Sequence, residues 1–302
     1  MVRSGTFCTR ISPGCQHCYA STINKRFGNG LEFIVPNLEK IEYFIDERIL
    51  QEPLKQKKPC TIFVGDMFDL FHEAIPASFV GTIFGMMAKC QHHTFQLLTK
   101  RAAYMHALLT RVQKLNATEQ DERLHLPMPH VWLGVSVEDQ QRADERIPLL
   151  LRTPAAVRFL SVEPMLEAVR LDECAPYVLN GNESNPGVLN AFNATCHHPA
   201  TFMYAPEALG NANGISWVIC GGESGPGARP FNLAWAESLQ KQCKAAGVPF
   251  FMKQLGSYPG TGPMDELKLV LTENSKGGDP AEWPEALRVR KFPLTRTRGL
   301  TV

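Results

Sequence analysis

Short apolar runs rich in β-branched and aromatic residues recur along the chain: "TIFVG" (61–65), "TFQLL" (94–98), "VWLGVS" (131–136), "VRFLS" (157–161), "SWVICG" (216–221) and "PFFMK" (249–253). They are continuous rather than alternating, which suits parallel strands buried on both faces. Helical stretches lie between them. "IPASFVGTIFGMMAKC" and "KRAAYMHALLTRVQKL" carry apolar residues at helical spacing, and "EDQQRADERIPLLL" turns from polar to apolar. "NLAWAESLQKQCKAAG" opens on Asn232, a capping residue, and closes on Gly247, a stop signal. Strand and helix alternating roughly every 30 residues predict right-handed βαβ units. With a weak further strand near residues 3–7, the pattern predicts an α/β fold. The expected form is a partial or complete TIM-like barrel of six to eight mainly parallel strands, with a doubly wound sheet as the alternative.

Two regions break the rhythm. Residues 172–214 are rich in Asn, Pro and Gly and read as an excursion between two strands. Residues 255–302 form a Gly- and Pro-rich tail expected to pack on or near the barrel, which itself spans 1–254. "SVE" occurs at 136–138 and again at 161–163, each time at a strand end, too little for a structural repeat.

Each apolar run stops at charged or hydroxyl residues. They are Asp66, Asp69 and His72; Thr99, Lys100 and Arg101; Ser136 and Glu138; Ser161 and Glu163; Gly221, Gly222, Glu223, Ser224 and Arg229; then Lys253 and Gln254. A parallel barrel gathers the carboxyl ends of its strands on one face, so these residues are expected around one site. Apart from His92, His93 and His130, the amino ends carry fewer such groups.

A net charge of +1 gives no overall pull toward nucleic acid or acidic membranes. With 302 residues, 44% of them hydrophobic, the chain can bury a substantial core. No apolar run reaches the roughly 18 residues of a membrane span, and the start does not read as a signal peptide. Cysteine usage predicts a reducing cytoplasm. Six of nine cysteines (Cys60, Cys90, Cys174, Cys196, Cys220 and Cys243) are scattered, mostly in apolar settings, and read as core residues.

The other three fall in "CTRISPGCQHCYA", spaced Cys8-x6-Cys15-x2-Cys18, and read as metal ligands. A structural zinc ion wants four closed ligands. His17 is the nearest fourth donor but sits between two of the thiols; His72, His92, His93, His197 and His198 are further candidates. A [4Fe–4S] cluster normally takes one thiolate per iron, so three thiols would leave one iron open for a substrate or cofactor. Ser12-Pro13-Gly14 suits a tight loop, with Gly14 expected to bring backbone amides near the sulfides. The helix expected in "YASTINKRF" would turn its favourable N-terminal end to an anionic group.

These cysteines, with "GDMFDLFHEAIP", "FQLLTKR", "VWLGVSVEDQ", "LSVEPM", "WVICGGESGPGARP" and "GVPFFMKQLG", identify a resemblance running from about Cys8 to near Pro293. The sequence resembles a phage- and prophage-associated three-cysteine-motif family of unknown function. That family in turn resembles radical S-adenosylmethionine enzymes and, more distantly, spore photoproduct lyase. The usual superfamily spacing is C-x3-C-x2-C; the first loop here is three residues longer. The resemblance implies a [4Fe–4S] cluster on Cys8, Cys15 and Cys18, S-adenosylmethionine on its open iron, and an electron-donor protein as partner. It implies a cofactor-binding set of Asp66, Asp69, Lys100, Ser136, Gly221, Gly222, Glu223 and Arg229. By chain order "GDMFD" takes the cofactor's amino group through Asp66 or Asp69, while "GGES" serves cofactor or substrate. Candidates for the chemistry itself are Glu138, Glu163 and Lys253.

DNA or a nucleotide is the substrate the resemblance suggests. The basic tail residues Arg288, Arg290, Lys291, Arg296 and Arg298 read as a solvated edge or as phosphate contacts. Two other readings compete: hydrolysis by Glu138 and Glu163 as paired carboxylates, which leaves the cysteines idle, and a non-catalytic zinc- or cluster-stabilised phage protein that binds nucleic acid.

Overall fold

The computed structural model describes residues 2–119, 124–177, 187–198, 201–204, 214–260 and 269–293. Its strands, in chain order, are β1 (Val2–Ser4), β2 (Ile41–Tyr43), β3 (Thr61–Val64), β4 (Thr94–Thr99), β5 (Val131–Ser136), β6 (Val157–Val162) and β7 (Cys174–Tyr177). There follow β8 (Gly187–Asn190), β9 (Thr195–His198), β10 (Thr201–Tyr204), β11 (Trp217–Gly221), β12 (Phe231–Asn232), β13 (Phe250–Gln254) and β14 (Pro259–Gly260). The helices are α1 (Tyr19–Phe27), α2 (Val35–Leu38), α3 (Glu47–Leu50), α4 (Glu52–Lys55), α5 (Ala77–Lys89), α6 (Ala102–Glu119), α7 (Gln140–Arg152) and α8 (Leu233–Ala245).

All six apolar runs form strands of one parallel sheet, ordered β3-β4-β5-β6-β11-β13. Spatial order equals chain order, so the chain winds in one direction. A doubly wound sheet would reverse its order midway. The sheet curls into a half-barrel flanked by helices. β1 and β2 pair only with each other, in parallel, and β3 is the outer strand of the larger sheet. Caps read from sequence are in place: Asn232 accepts from the Ala234 amide at the start of α8, and Gly247 takes a left-handed φ of 68° just past its end. Among the described residues no helix is long and apolar enough to cross a membrane.

The residues 172–214 carry a small antiparallel sheet, β7 to β10 in consecutive order. The sequence reading names no strands there, because the Asn-, Pro- and Gly-rich composition reads as loop.

The two faces of the half-barrel differ. Phe95, Leu97, Leu133, Val135, Leu160 and Val218 belong to the main core that includes the helices. The concave face is aromatic near its amino end: Trp132, Phe159 and Trp217 are buried together, with Leu98, Ile219 and Phe251 packed on them. Gly134 lies opposite Phe159 in the strand register, and a Cβ there would come within 2.5 Å of the Phe159 ring. The glycine lets that ring lie flat on β5.

The tail closes one end of this floor. Phe292 packs tilted against Trp217 and edge-to-face on Phe251, at 5.3 and 5.1 Å between centroids. Lys291 donates its amide to the Phe250 carbonyl and accepts from the Trp217 indole. Arg288, Arg290 and Lys291 are solvent-exposed, and the two arginines also bond the chain's own carbonyls. Arg288 donates to the Trp283 and Ala281 carbonyls; Arg290 donates to those of Met252, Lys253 and Gly278 and stacks 4.8 Å over Trp283. Each guanidinium is thus tied to the protein's own carbonyls through Nε and Nη2. Arg296 and Arg298 lie outside the described residues.

Replacing Gly134 by Ala is expected to destabilise the fold by about 1–3 kcal/mol through overpacking against Phe159. Urea unfolding checks this: the midpoint should fall while the slope stays constant.

Candidate functional site

The cysteine loop runs from β1 to α1. It tightens into a 3-10 turn at Pro13–Cys15, closed by the Cys15 amide on the Ser12 carbonyl at 2.9 Å. Cys18 occupies the N-cap position of α1, so the helix begins directly at the last thiol. All three thiols are free, half-buried and on the wall of one cavity of about 170 Å³. Asp66, Asp69, Lys100 and Ser136, expected here from the ends of three strands, line the same cavity with Tyr19 and Arg101.

Carboxylates from two strand ends pin the loop. Glu138, just past β5, is fully buried. It accepts from the Ser12 hydroxyl and from Arg146 of α7 at 2.8 Å, and Lys100 stands 3.7 Å away. Burial alone would raise its pKa; Lys100, Arg146 and the Ser12 hydroxyl outweigh that and hold the carboxyl below the usual range. A Cβ on Gly14 would overlap the Glu138 side chain. Gly14 is therefore glycine to admit this carboxylate beneath the loop; its φ is not in the left-handed region, and the expected role of offering amides to a cluster is not the constraint on it.

The second pin is Glu223, just past β11 and buried. Arg229 grips it through its backbone amide (3.0 Å), Nε (2.9 Å) and Nη2 (2.6 Å), and reaches on to the Pro13 carbonyl at 3.0 Å. His17 meets the same carboxylate at 3.0 Å through Nδ1. Burial opposes the charge here too, and Arg229 with His17 overcomes it, so this carboxyl also sits below the usual range.

A buried cation backs the first thiol. The Arg101 side chain donates to Cys8 Sγ at 3.5 Å, to the Thr9 carbonyl and hydroxyl, and to Asp69 and Glu73. Burial pushes the Cys8 thiol up to about 11 despite the opposing pull of Arg101. His72 accepts the Ala74 amide at Nδ1, so in its neutral form Nε2 carries the proton and donates to the Thr9 hydroxyl at 2.9 Å.

The two aspartates of "GDMFD" differ sharply. Asp69 is saturated: Oδ1 accepts from the Phe71 amide and Thr99 hydroxyl, Oδ2 from the Lys100 amide and Arg101. Among the described residues the Asp66 carboxylate has no partner; only its backbone carbonyl is engaged, by the Tyr19 hydroxyl at 2.6 Å. The glycine pair serves the chain's own packing. A Cβ on Gly222 would overlap the Leu255 carbonyl, and one on Gly221 would lie 3.3 Å from the Glu163 carboxyl. Glu163 pairs with Lys253 at 2.9 Å across the end of the sheet.

The zinc candidates divide by position. His17 is held by Glu223. His72 uses both ring nitrogens on Ala74 and Thr9. His93 precedes β4, at the opposite end of the sheet, and uses both nitrogens on Cys60 and Pro53; His92 stacks on it at 3.9 Å. The side chains of His197 and His198 lie outside the described residues. Among the described residues no three His, Cys, Asp or Glu side chains are grouped to share one metal ion. The thiols line one cavity without converging on a point. Cys90, Cys174, Cys220 and Cys243 are buried core residues, as expected.

Sequence reasoning placed Arg101 around the site without a task, assigned no role there to Ser12 or Arg146, and gave Gly14 a different one. Only Gly14 and Ser12 carried a local signal, as a turn; their partner lies 126 positions from Ser12.

A family profile described as "Protein of unknown function (DUF5131)" matches residues 3–284, and the chain belongs to that family. No curated protein and no solved structure matches it.

Replacing Glu138 by Gln should cost about 3–5 kcal/mol, because Arg146 is left as a buried unpaired charge; thermal and urea unfolding check this. Stability should also fall with acid. Both pinning carboxyls have depressed pKa values, so their contribution is present above the ordinary carboxyl value of about 4.3 and is lost as pH drops below it. Unfolding midpoints from pH 7 to 3 test the sign, and Glu223→Gln should flatten the acid limb.

Proposed function

We propose that this member of the family is a [4Fe–4S] enzyme of the radical S-adenosylmethionine type. The observation that carries the reading is the single cavity lined by Cys8, Cys15 and Cys18 together with a buried cation and an unpartnered carboxylate. When bound, such a cluster supplies the electron that cleaves S-adenosylmethionine to a carbon radical.

The chain's own residues have separable tasks. Cys8, Cys15 and Cys18 are the ligands, and each must lose its proton to bind metal. Arg101 lends positive charge at Cys8, next to the anionic group. Cys18, at the head of α1, sits where the helix dipole favours negative charge. Of the two aspartates, Asp66 is the one with a carboxylate left to accept the cofactor's ammonium, because Asp69 is saturated. Glu138 and Glu223 act as positioning residues that hold the loop, which does not support Glu138 as one of a hydrolytic pair with Glu163. The Glu163–Lys253 pair is the remaining candidate for handling a substrate proton at the rim. Tyr19 cannot ionise near neutrality: burial, then Asp66, push its hydroxyl up to about 12.

Anaerobic reconstitution with iron and sulfide tests the ligand set. The full chain should take up about four irons and, with reductant, form 5′-deoxyadenosine from S-adenosylmethionine. Cys15→Ala should lose the iron and Cys90→Ala should keep it. Stoichiometric zinc without iron would instead favour a non-catalytic, zinc-stabilised protein.

Asp66→Asn separates cofactor binding from cluster binding. Iron content should stay unchanged while affinity for S-adenosylmethionine falls by about tenfold, the scale of one charge-assisted hydrogen bond. Equal affinity by calorimetry would remove Asp66 from the cofactor site.

A further inference from the structure

A second and larger cavity, of about 430 Å³, opens beside the first where the sheet is split between β2 and β3. Ile62, Val64 and Phe95 of the half-barrel, Phe79 and Ile83 of α5, and Tyr43 after the split give it an apolar lining. Phe63, Gly65, Asp66, Met67 and Phe68 line both cavities, so they form a common wall. Gly65 makes that wall thin. Its φ of 81° turns the chain after β3, and a Cβ there would stand 3.1 Å from the Phe68 carbonyl. Phe63 is 44% exposed and Ile49 64% exposed, which leaves an apolar entrance.

The charge of the lining limits what can enter. Among the described residues it contains no Lys, Arg or His; its charged members are Asp46 and Asp66. Asp46 is occupied, capping α3 through the Arg48 amide and pairing with the Arg48 guanidinium. A phosphate or sulfonate would therefore meet no counter-charge and would lose hydration on entry. Protein interiors normally close over apolar space of this size, and a cavity of roughly 300–1,000 Å³ with a mainly apolar lining is the usual form of a small-molecule site.

We infer that this chamber binds a neutral, largely apolar small molecule and holds it against the wall shared with the cysteine cavity. The ligand class is an aromatic or aliphatic ring system without phosphate, which excludes a polynucleotide backbone from this chamber. The inference goes beyond the cluster reading and does not depend on it, because binding can be measured on the metal-free chain.

Two naphthalene probes with the same ring system test it on the full chain: neutral N-phenyl-1-naphthylamine and its anionic counterpart 1-anilinonaphthalene-8-sulfonate. The neutral probe should bind saturably at one site, and the anion weaker by about tenfold or more. Ile83→Phe, or Met86→Phe should the first not fold, should weaken the neutral probe by about tenfold by filling the chamber, with the thermal transition retained as a fold control. Non-saturable neutral binding, equal binding of the two probes, or unchanged affinity in a folded filling variant would overturn the inference. Iron uptake measured on the same preparations separates this outcome from failure of the cluster reading.

Discussion

The carboxylate of Glu138 is the point on which the arrangement of the site depends. It leaves the end of a central strand, passes beneath a glycine, and binds a loop from near the beginning of the chain. A buried carboxylate is expensive unless fully compensated. Arg146, Lys100 and Ser12 supply that compensation together, and each belongs to a different segment. Neutralising one charge therefore couples α7, the end of β4, the end of β5 and the cysteine loop in a single geometry. Glu223 repeats the device from the other side of the sheet, with Arg229 and His17.

This coupling explains why a short loop can hold three half-buried thiols without a disulfide or a long supporting element. The loop has one 3-10 turn and a single short strand before it. Its order comes from partners on β4, β5 and β11, which the half-barrel brings to one face because parallel strands all end in the same direction. The concave face shows the same economy: aromatic residues fill the floor near its amino end, and the cavity beside the cysteines gathers polar groups from the strand ends. The tail seals the floor with Phe292 and uses Arg288 and Arg290 on backbone carbonyls. Two of its basic residues thus also serve internal hydrogen bonding.

Legibility in the sequence followed the range of the interaction. The six apolar runs became six parallel strands because burial on both faces of the central strands demands continuous apolar composition, a local property; the outer strand β3 keeps such a run although Thr61 and Phe63 are exposed. Asn232 and Gly247 were readable as helix signals because capping acts over a few residues. The strands within 172–214 were not, since they lie in an Asn-, Pro- and Gly-rich stretch whose composition reads as loop. At the site, the cysteines and the strand-end residues could be named from spacing and chain order, but equal-looking members proved unequal. Asp66 and Asp69 sit in one motif, yet one is unpartnered and the other saturated.

The sequence by itself determined the βαβ alternation, the identity of the clustered thiols and the set of polar residues that parallel strands must deliver to one face. These depend on periodicity, composition and strand direction, which neighbours along the chain already express. Only the tertiary structure decided that the sheet stops at a half-barrel, that Gly14 exists to admit Glu138, that Gly222 yields to the Leu255 carbonyl, and that an apolar chamber adjoins the cysteines. Each of these is a contact between segments far apart in sequence, where the outcome depends on which groups remain unpaired after all others have been satisfied.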